Sequence, residues 1–233
     1  MSQRAFLYNL QFIDNQIDKI LDRIASIDTK INSNQEIVES ENILKSIQAK
    51  FNLKKAEISE LESQSNILSK ILLQNNNALY DGKIKNPKEL QSVEDEGISL
   101  NKRIKNLEDR IFDMMLENEL IEKELNNQME IHQTLSRNKK NEIDELNSEK
   151  LILIESLDKL RIEKSPIEKQ IKNELLEKYA MLRETRSKMA VAVISENACS
   201  ACGNIITPAE IQKIKSPIDE YYCQICKRIL YYN

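Results

Sequence analysis

Residues 75–90 read NNNALYDGKIKNPKEL. Three asparagines, a glycine and an Asn-Pro pair stand together, a dense signal for stopping one helix. Asn86 can cap the next helix, with Pro87 at its first position and Glu89 closing a capping box. The flanking sequence carries the matching pattern. Before the stop, apolar residues fall at Leu10, Ile13, Ile17, Ile20, Ile24, Ile27 and Ile31, in steps of three and four. The frame shifts and resumes at Leu44, Ile47, Phe51, Ile58, Leu61, Leu68 and Leu72. After the stop, the same spacing runs from Leu90 through Ile104, Ile111, Met114, Ile121 and Leu125 to Leu135. It shifts once more to Ile143, Leu146, Leu153, Leu157 and Leu160.

A repeat of 3.5 residues keeps one stripe of a supercoiled helix facing a partner. Two arms of nearly equal length around a short turn predict an antiparallel hairpin, each arm roughly 75 residues and on the order of 110 Å long. A parallel homodimer of single long helices is the competing arrangement. Asn118, Gln128 and His132 interrupt the seam of the second arm. His132, the only histidine, reads as a register-setting polar seam residue rather than a metal ligand or pH switch.

Composition agrees with long helices. Charged residues make up 31% of the 233-residue chain and aromatics 5%, with 3 Gly and no Trp, which is unlike a compact globule of this length. The net charge of −4 provides no global basic field for nucleic acid. No apolar run approaches a signal peptide or a membrane span, so a soluble cytoplasmic protein is expected. "KSPIEKQ", residues 164–170, predicts a further helix start, with Ser165 as cap and Pro166 at the first position. The expected organisation is a coiled-coil hairpin over 1–164 with its turn near 78–87, a connecting helix over 165–190, and a separate tail over 191–233.

All four cysteines lie in that tail, at Cys199, Cys202, Cys223 and Cys226. Thiols stay reduced in the cytoplasm, and two Cys-x-x-Cys turns supply the four thiolates of a tetrahedral Zn²⁺ site. A tail of roughly 40 residues cannot build a sufficient core alone, so one structural Zn²⁺ would organise it. "VAVIS" (191–195) and "RILYY" (228–232) read as strands. "TPAEIQKIKSP" (207–217) reads as a short helix capped by Thr207 with Glu210. The fold class is therefore mainly α, a long antiparallel coiled-coil hairpin followed by a small C-terminal β zinc ribbon.

No nucleophile–base pair, phosphate loop or open metal position is present, so no enzyme is expected. Lys178, Arg183, Arg186 and Lys188 form a modest basic patch before the tail, the candidate surface for a nucleic-acid-binding regulator. Tyr221, Tyr222, Tyr231 and Tyr232 could stack on bases, but at strand spacing they read better as core or interface. In the turn, Tyr80, Lys83, Lys85 and Lys88 have no evident structural task. They read either as a solvated loop or, together with Tyr222 and Arg228 of the tail, as a surface for a protein partner.

With its helical hairpin, "YDGKIKNPKEL" at the turn and "CSACG … YYCQICKRILYY" at the end, the whole chain resembles the bacterial four-cysteine zinc-ribbon family with an N-terminal coiled-coil hairpin. The resemblance implies a cytoplasmic, non-enzymatic adaptor or chaperone. It also implies links to flagellar or related type III export (secretion), or to the sigma-54 transcription factor, and nucleic-acid binding has been proposed for the family. One position departs from it. Lys227 stands where the family commonly has Gly, and a left-handed backbone there would cost a non-glycine residue about 1–2 kcal/mol.

Overall fold

The computed structural model describes residues 2–82, 84–216 and 220–232. Four helices precede a small sheet: α1 (Gln3–Asn32), α2 (Gln35–Tyr80), α3 (Pro87–Glu168) and α4 (Asn173–Thr185). The tail follows with β1 (Val191–Ser195), β2 (Ala198–Cys199), α5 (Pro208–Lys215) and β3 (Ile229–Tyr231). The chain divides into two compact units. One is Met1–Ser33 with Glu142–Asn233, and carries the sheet; the other is Asn34–Asn141, and carries the turn.

In the turn-bearing unit α2 and α3 pair antiparallel. Leu72 lies against Gly97, Lys54 pairs with Glu117 at 2.7 Å, and Ser40 meets Gln128 at 3.3 Å. As one number falls the other rises, which is the signature of a hairpin. Asn86 caps α3 through the Lys88 N–H at 3.1 Å. The seam is thin: Ile58, Leu61 and Met114 form a buried cluster with Leu107 and Ile111 at its edge. Ser40 is buried and meets both Gln128 and His132, each at 3.3 Å. His132 is thus a polar seam residue with a hydroxyl partner on the facing helix.

Two sequence expectations need correction. The first arm is two helices rather than one, because the chain leaves helical geometry at Ser33 (φ −83°, ψ 106°). Asn32, Ser33 and Asn34 have side chains that compete with the helix for backbone hydrogen bonds. Asn32 bonds back to the Asp28 carbonyl at 2.9 Å. The shift of seam frame between Ile31 and Leu44 marks this break. Second, Ser165 and Pro166 do not start a helix. α3 runs through both and stops at Glu168. So close to a helix end, Pro166 removes one bond that the last turn can lose. The new start lies at Lys172, which is extended (φ −64°, ψ 138°) and has no side-chain cap of its own. Gln3 of α1 instead pins the corner before it: its Oε1 accepts from Lys172 N–H at 3.0 Å and its Nε2 donates to the Gln170 carbonyl at 2.9 Å.

In the sheet-bearing unit the strand order is β2-β1-β3, with β1 antiparallel to β2 and parallel to β3. β1 and β2 join through Glu196 and Asn197, both at positive φ (49° and 57°), as a two-residue hairpin turn of the primed type requires. Alternation along the strands gives the sheet two buried faces. Val191 and Ile229 pack with Leu7 and Leu10 of α1 and Leu175, Tyr179 and Leu182 of α4. Ala192, Ile194 and Leu230 pack with Ile211 and Ile214 of α5 and with Cys199 and Cys223.

Candidate metal centre

Each cysteine pair closes a knuckle, and the two knuckles share one hydrogen-bond pattern. Cys199 N–H donates to the Asn204 carbonyl at 2.9 Å, and Gly203 N–H to the Cys199 carbonyl at 2.8 Å. In the second knuckle Cys223 N–H donates to the Arg228 carbonyl, and Lys227 N–H to the Cys223 carbonyl, both at 2.9 Å. The turn ends on a left-handed residue in both, Gly203 (φ 72°) and Lys227 (φ 62°). Lys227 thus takes the left-handed backbone without a glycine, and the second knuckle keeps the same bonds as the first.

The four sulfurs converge. All lie within 4.8 Å of one another, with Cys199 and Cys226 Sγ 3.8 Å apart and Cys202 and Cys223 Sγ 3.5 Å apart. A tetrahedral ion with metal–sulfur bonds of ~2.3 Å places its sulfurs about 3.8 Å apart. The geometry is thus compatible with a four-thiolate metal site, and a donor set of sulfur alone selects soft, tetrahedral ions over Mg²⁺ or Ca²⁺. Cys199 and Cys223 are buried, Cys226 half-buried and Cys202 exposed.

The environments of the thiols differ. Burial pushes Cys199 up to about 12 against the pull of the Ala201 and Cys202 amides. At Cys202 the Asn204 amide pulls downward, but burial and the Cys223 and Cys226 thiols outweigh it and the net direction is up. Burial also opposes ionisation of Cys226, yet the backbone and side chain of Arg228, with the Cys202 and Cys223 thiols, bring it down to about 7. One thiolate is thus accessible near neutrality, and metal binding would drive the remaining protons off.

Arg228 has a further task. Its Nε donates to the Met189 carbonyl at 2.8 Å and its second guanidinium nitrogen to the Arg186 carbonyl at 3.0 Å. Tyr222 hydrogen-bonds Glu220 at 2.6 Å and bridges to Ile229. Both residues, candidates for a partner surface, are therefore structural members of the ribbon. Tyr231 stacks on Tyr8 of α1 at 5.0 Å between ring centroids, an internal interface.

The basic patch is largely neutralised. Arg183 bonds Asn15 at 3.0 Å and pairs with Asp18 and, at 3.8 Å, Asp14. Lys188 faces Asp22 at 3.5 Å, and Lys178 pairs with Glu220 at 3.2 Å. Arg186 receives Arg228 on its backbone carbonyl, and its guanidinium has no ion pair among the described residues. In the turn, Tyr80, Lys85 and Lys88 are exposed, and Lys83 lies outside the described residues.

Sequence reasoning missed the polar residues that seat the ribbon. Gln11 is buried. Its Oε1 accepts from the Ala190 and Val191 N–H groups, both at 2.7 Å, and its Nε2 donates to the Val191 carbonyl at 2.8 Å. One glutamine on α1 thus satisfies the backbone where the chain enters β1. Beside it, buried Asp14 accepts from Tyr179 Oη at 2.7 Å and from Lys164 at 2.8 Å. Gln11 and Asp14 adjoin seam positions, and only their polarity next to an apolar stripe marked them.

A model of the CT398-like coiled-coil hairpin domain matches residues 10–187. No curated protein sequence matches the chain. Among solved structures, one from Mycobacterium smegmatis is similar at 16% identity and a TM-score of 0.83, with 100% of both chains covered. CT398 from Chlamydia trachomatis is similar at 18% identity and 0.57, over 97% of this chain and 99% of that one. The HP0958 protein from Helicobacter pylori is similar at 16% identity and 0.53, over 99% and 97%. At these identities the likeness is one of fold: a long helical hairpin with a small C-terminal sheet. The matched domain spans most of the sequence, and the chain belongs to the CT398-like coiled-coil hairpin family.

Proposed function

We propose that the protein is a non-enzymatic docking scaffold, a coiled-coil hairpin whose C-terminal ribbon is held together by one structural Zn²⁺. The observation that carries this is the closed four-thiol set, two of whose members lie in the core between the sheet and α5. Four thiolates fill a tetrahedral ion and leave no position for water or substrate. Cysteines kept as a metal cluster fit a reducing cytoplasm, and among the described residues no helix is long and apolar enough to cross a membrane. The exposed turn residues Tyr80, Lys85 and Lys88 are a docking surface in this reading. The partners are proteins, for which the family resemblance suggests export-apparatus components or sigma-54.

Two measurements test the reading. Elemental analysis of protein purified without added metal is expected to give one zinc per chain, absent after Cys199→Ser with Cys226→Ser. Affinity capture from the native cell is expected to retain a protein partner after nuclease treatment, and to weaken on Lys85→Glu with Lys88→Glu at unchanged helicity. Capture that disappears with nuclease would replace the scaffold by a nucleic-acid regulator.

A further inference from the structure

We propose that the groove between α2 and α3 beside Asn118 is the docking site for a basic amphipathic helix of a protein partner. This rests on reading the hairpin as a scaffold, and it names a surface distinct from the turn. α3 carries two apolar stripes here. The seam uses Ile111, Met114 and Ile121. A second stripe, Phe112, Met115, Leu116 and Leu120, is exposed at helical spacing. Phe112, Met115 and Leu116 of that stripe, with Phe51 of α2, border an open groove of ≈ 700 Å³, in the range of sites that bury a ligand. On the groove wall Asn118 Oδ1 is shielded from solvent and has no hydrogen-bond partner among the described residues.

Charge selects the occupant. The groove lining itself carries Glu62, Glu119 and Glu122 against a single cation, Lys55. Glu119 pairs with Lys123, whereas among the described residues Glu62 and Glu122 have no ion pair. A second copy laid face to face would oppose two acidic stripes, which is unfavourable. A helix with an apolar stripe flanked by Lys or Arg would fill the groove and meet the carboxylates, in the manner of helix-in-groove recognition.

The test uses the full chain and labelled synthetic peptides, read by fluorescence anisotropy. One peptide carries leucines at helical spacing with lysine flanks. The second has glutamate flanks, and the third is the lysine peptide scrambled to remove the stripe. The lysine-flanked peptide is expected to bind at least tenfold tighter than either control. Leu116→Arg is expected to weaken it at least tenfold at unchanged melting temperature, and Phe112→Ser, also at an exposed position, serves if Leu116→Arg unfolds. Glu119→Lys with Glu122→Lys is expected to invert the order of the lysine and glutamate peptides. Equal binding of the scrambled peptide overturns the proposal, as does indifference to Leu116 and Phe112. A dimer of the full chain that Leu116→Arg dissociates would make the groove a self-interface and also overturn it. If cellular capture survives while the peptides fail, only the groove is lost. If no protein is captured, the scaffold reading falls with it.

Discussion

The two units are built on different principles. In the turn-bearing unit, Asn34–Asn141, an apolar residue recurs every three or four positions, and the buried cluster of Ile58, Leu61 and Met114 is one repeat of many. Its cohesion is distributed. In the sheet-bearing unit, single residues hold unique posts: Gln11 satisfies the entry to β1, Gln3 pins the corner before α4, Asp14 gathers Tyr179 and Lys164, and four thiols define one point. Repetition makes a surface tolerant of change, while unique posts make one sensitive to it.

The sharpest break of this contrast is at the thiols. Cys223→Ser is expected to abolish stoichiometric zinc and unfold the ribbon, since a structural site contributes an apparent ~10 kcal/mol or more, while the helical signal is largely kept. Elemental analysis with circular dichroism reads both. Next, Gln11→Ala leaves two backbone N–H groups and one carbonyl without partners, at a cost of about 2–4 kcal/mol. A urea midpoint shift of that size is expected there, and none of that size from Gln48→Ala, whose side chain bonds only Asn52 on the surface of α2.

An alkaline titration sharpens the difference further. Tyr179 is pushed well above the usual phenol range, first by burial and then by the Asp14 carboxylate that it donates to. The folded state keeps a proton that the unfolded chain loses near pH ~10, so the stabilisation is full below that pH and falls as pH rises above it. Tyr179→Phe is expected to reduce the slope in a melting-temperature series, and to cost about 1.5–3 kcal/mol at neutral pH through the lost bond to a carboxylate. Tyr222, raised by burial and Glu220, contributes to the remaining slope, as do Lys54 and Lys164, both also raised.

The smallest effects come from glycine, with opposite substitutions in the two units. At Gly97 a Cβ would stand 3.8 Å from Leu72 Cδ1, an ordinary contact, so Gly97→Ala is expected to stabilise α3 by about 0.5–1 kcal/mol. At Lys227 the left-handed backbone (φ 62°) favours the reverse, and Lys227→Gly is expected to gain about 0.5–1 kcal/mol for the ribbon. Thermal melts of the two variants check both signs.

The repetitive unit was the more legible in sequence. Its seam, a turn near 78–87 and the Asn86 cap follow from local spacing and local chemistry, although α2 runs through the asparagines at 75–77 and ends only at Tyr80. The cysteine cluster was legible for a related reason, since two short knuckles announce themselves. Thr207 with Glu210 also forms the capping box its spacing suggested. What escaped depends on contacts distant in sequence. Pro166 read as a helix start because nothing local reveals that Gln3, 169 residues away, holds the corner at Lys172 instead. The bonds of Arg228 to the Met189 and Arg186 carbonyls were not legible, because they span 39 and 42 residues. The break at Ser33 was visible only as a shifted frame, and left-handed Ser187 and Lys188, which end α4 without a glycine, gave no sign.

Hydrogen exchange of the full chain with and without a zinc chelator tests the central claim most directly. The account predicts that chelation strips protection from residues 190–216 and 220–232 and from the turns of α1 and α4 packed on β1, while amides of 34–82 and 84–141 exchange as before. Unchanged protection of the ribbon after metal removal would contradict it, as would equal loss of protection in the turn-bearing unit.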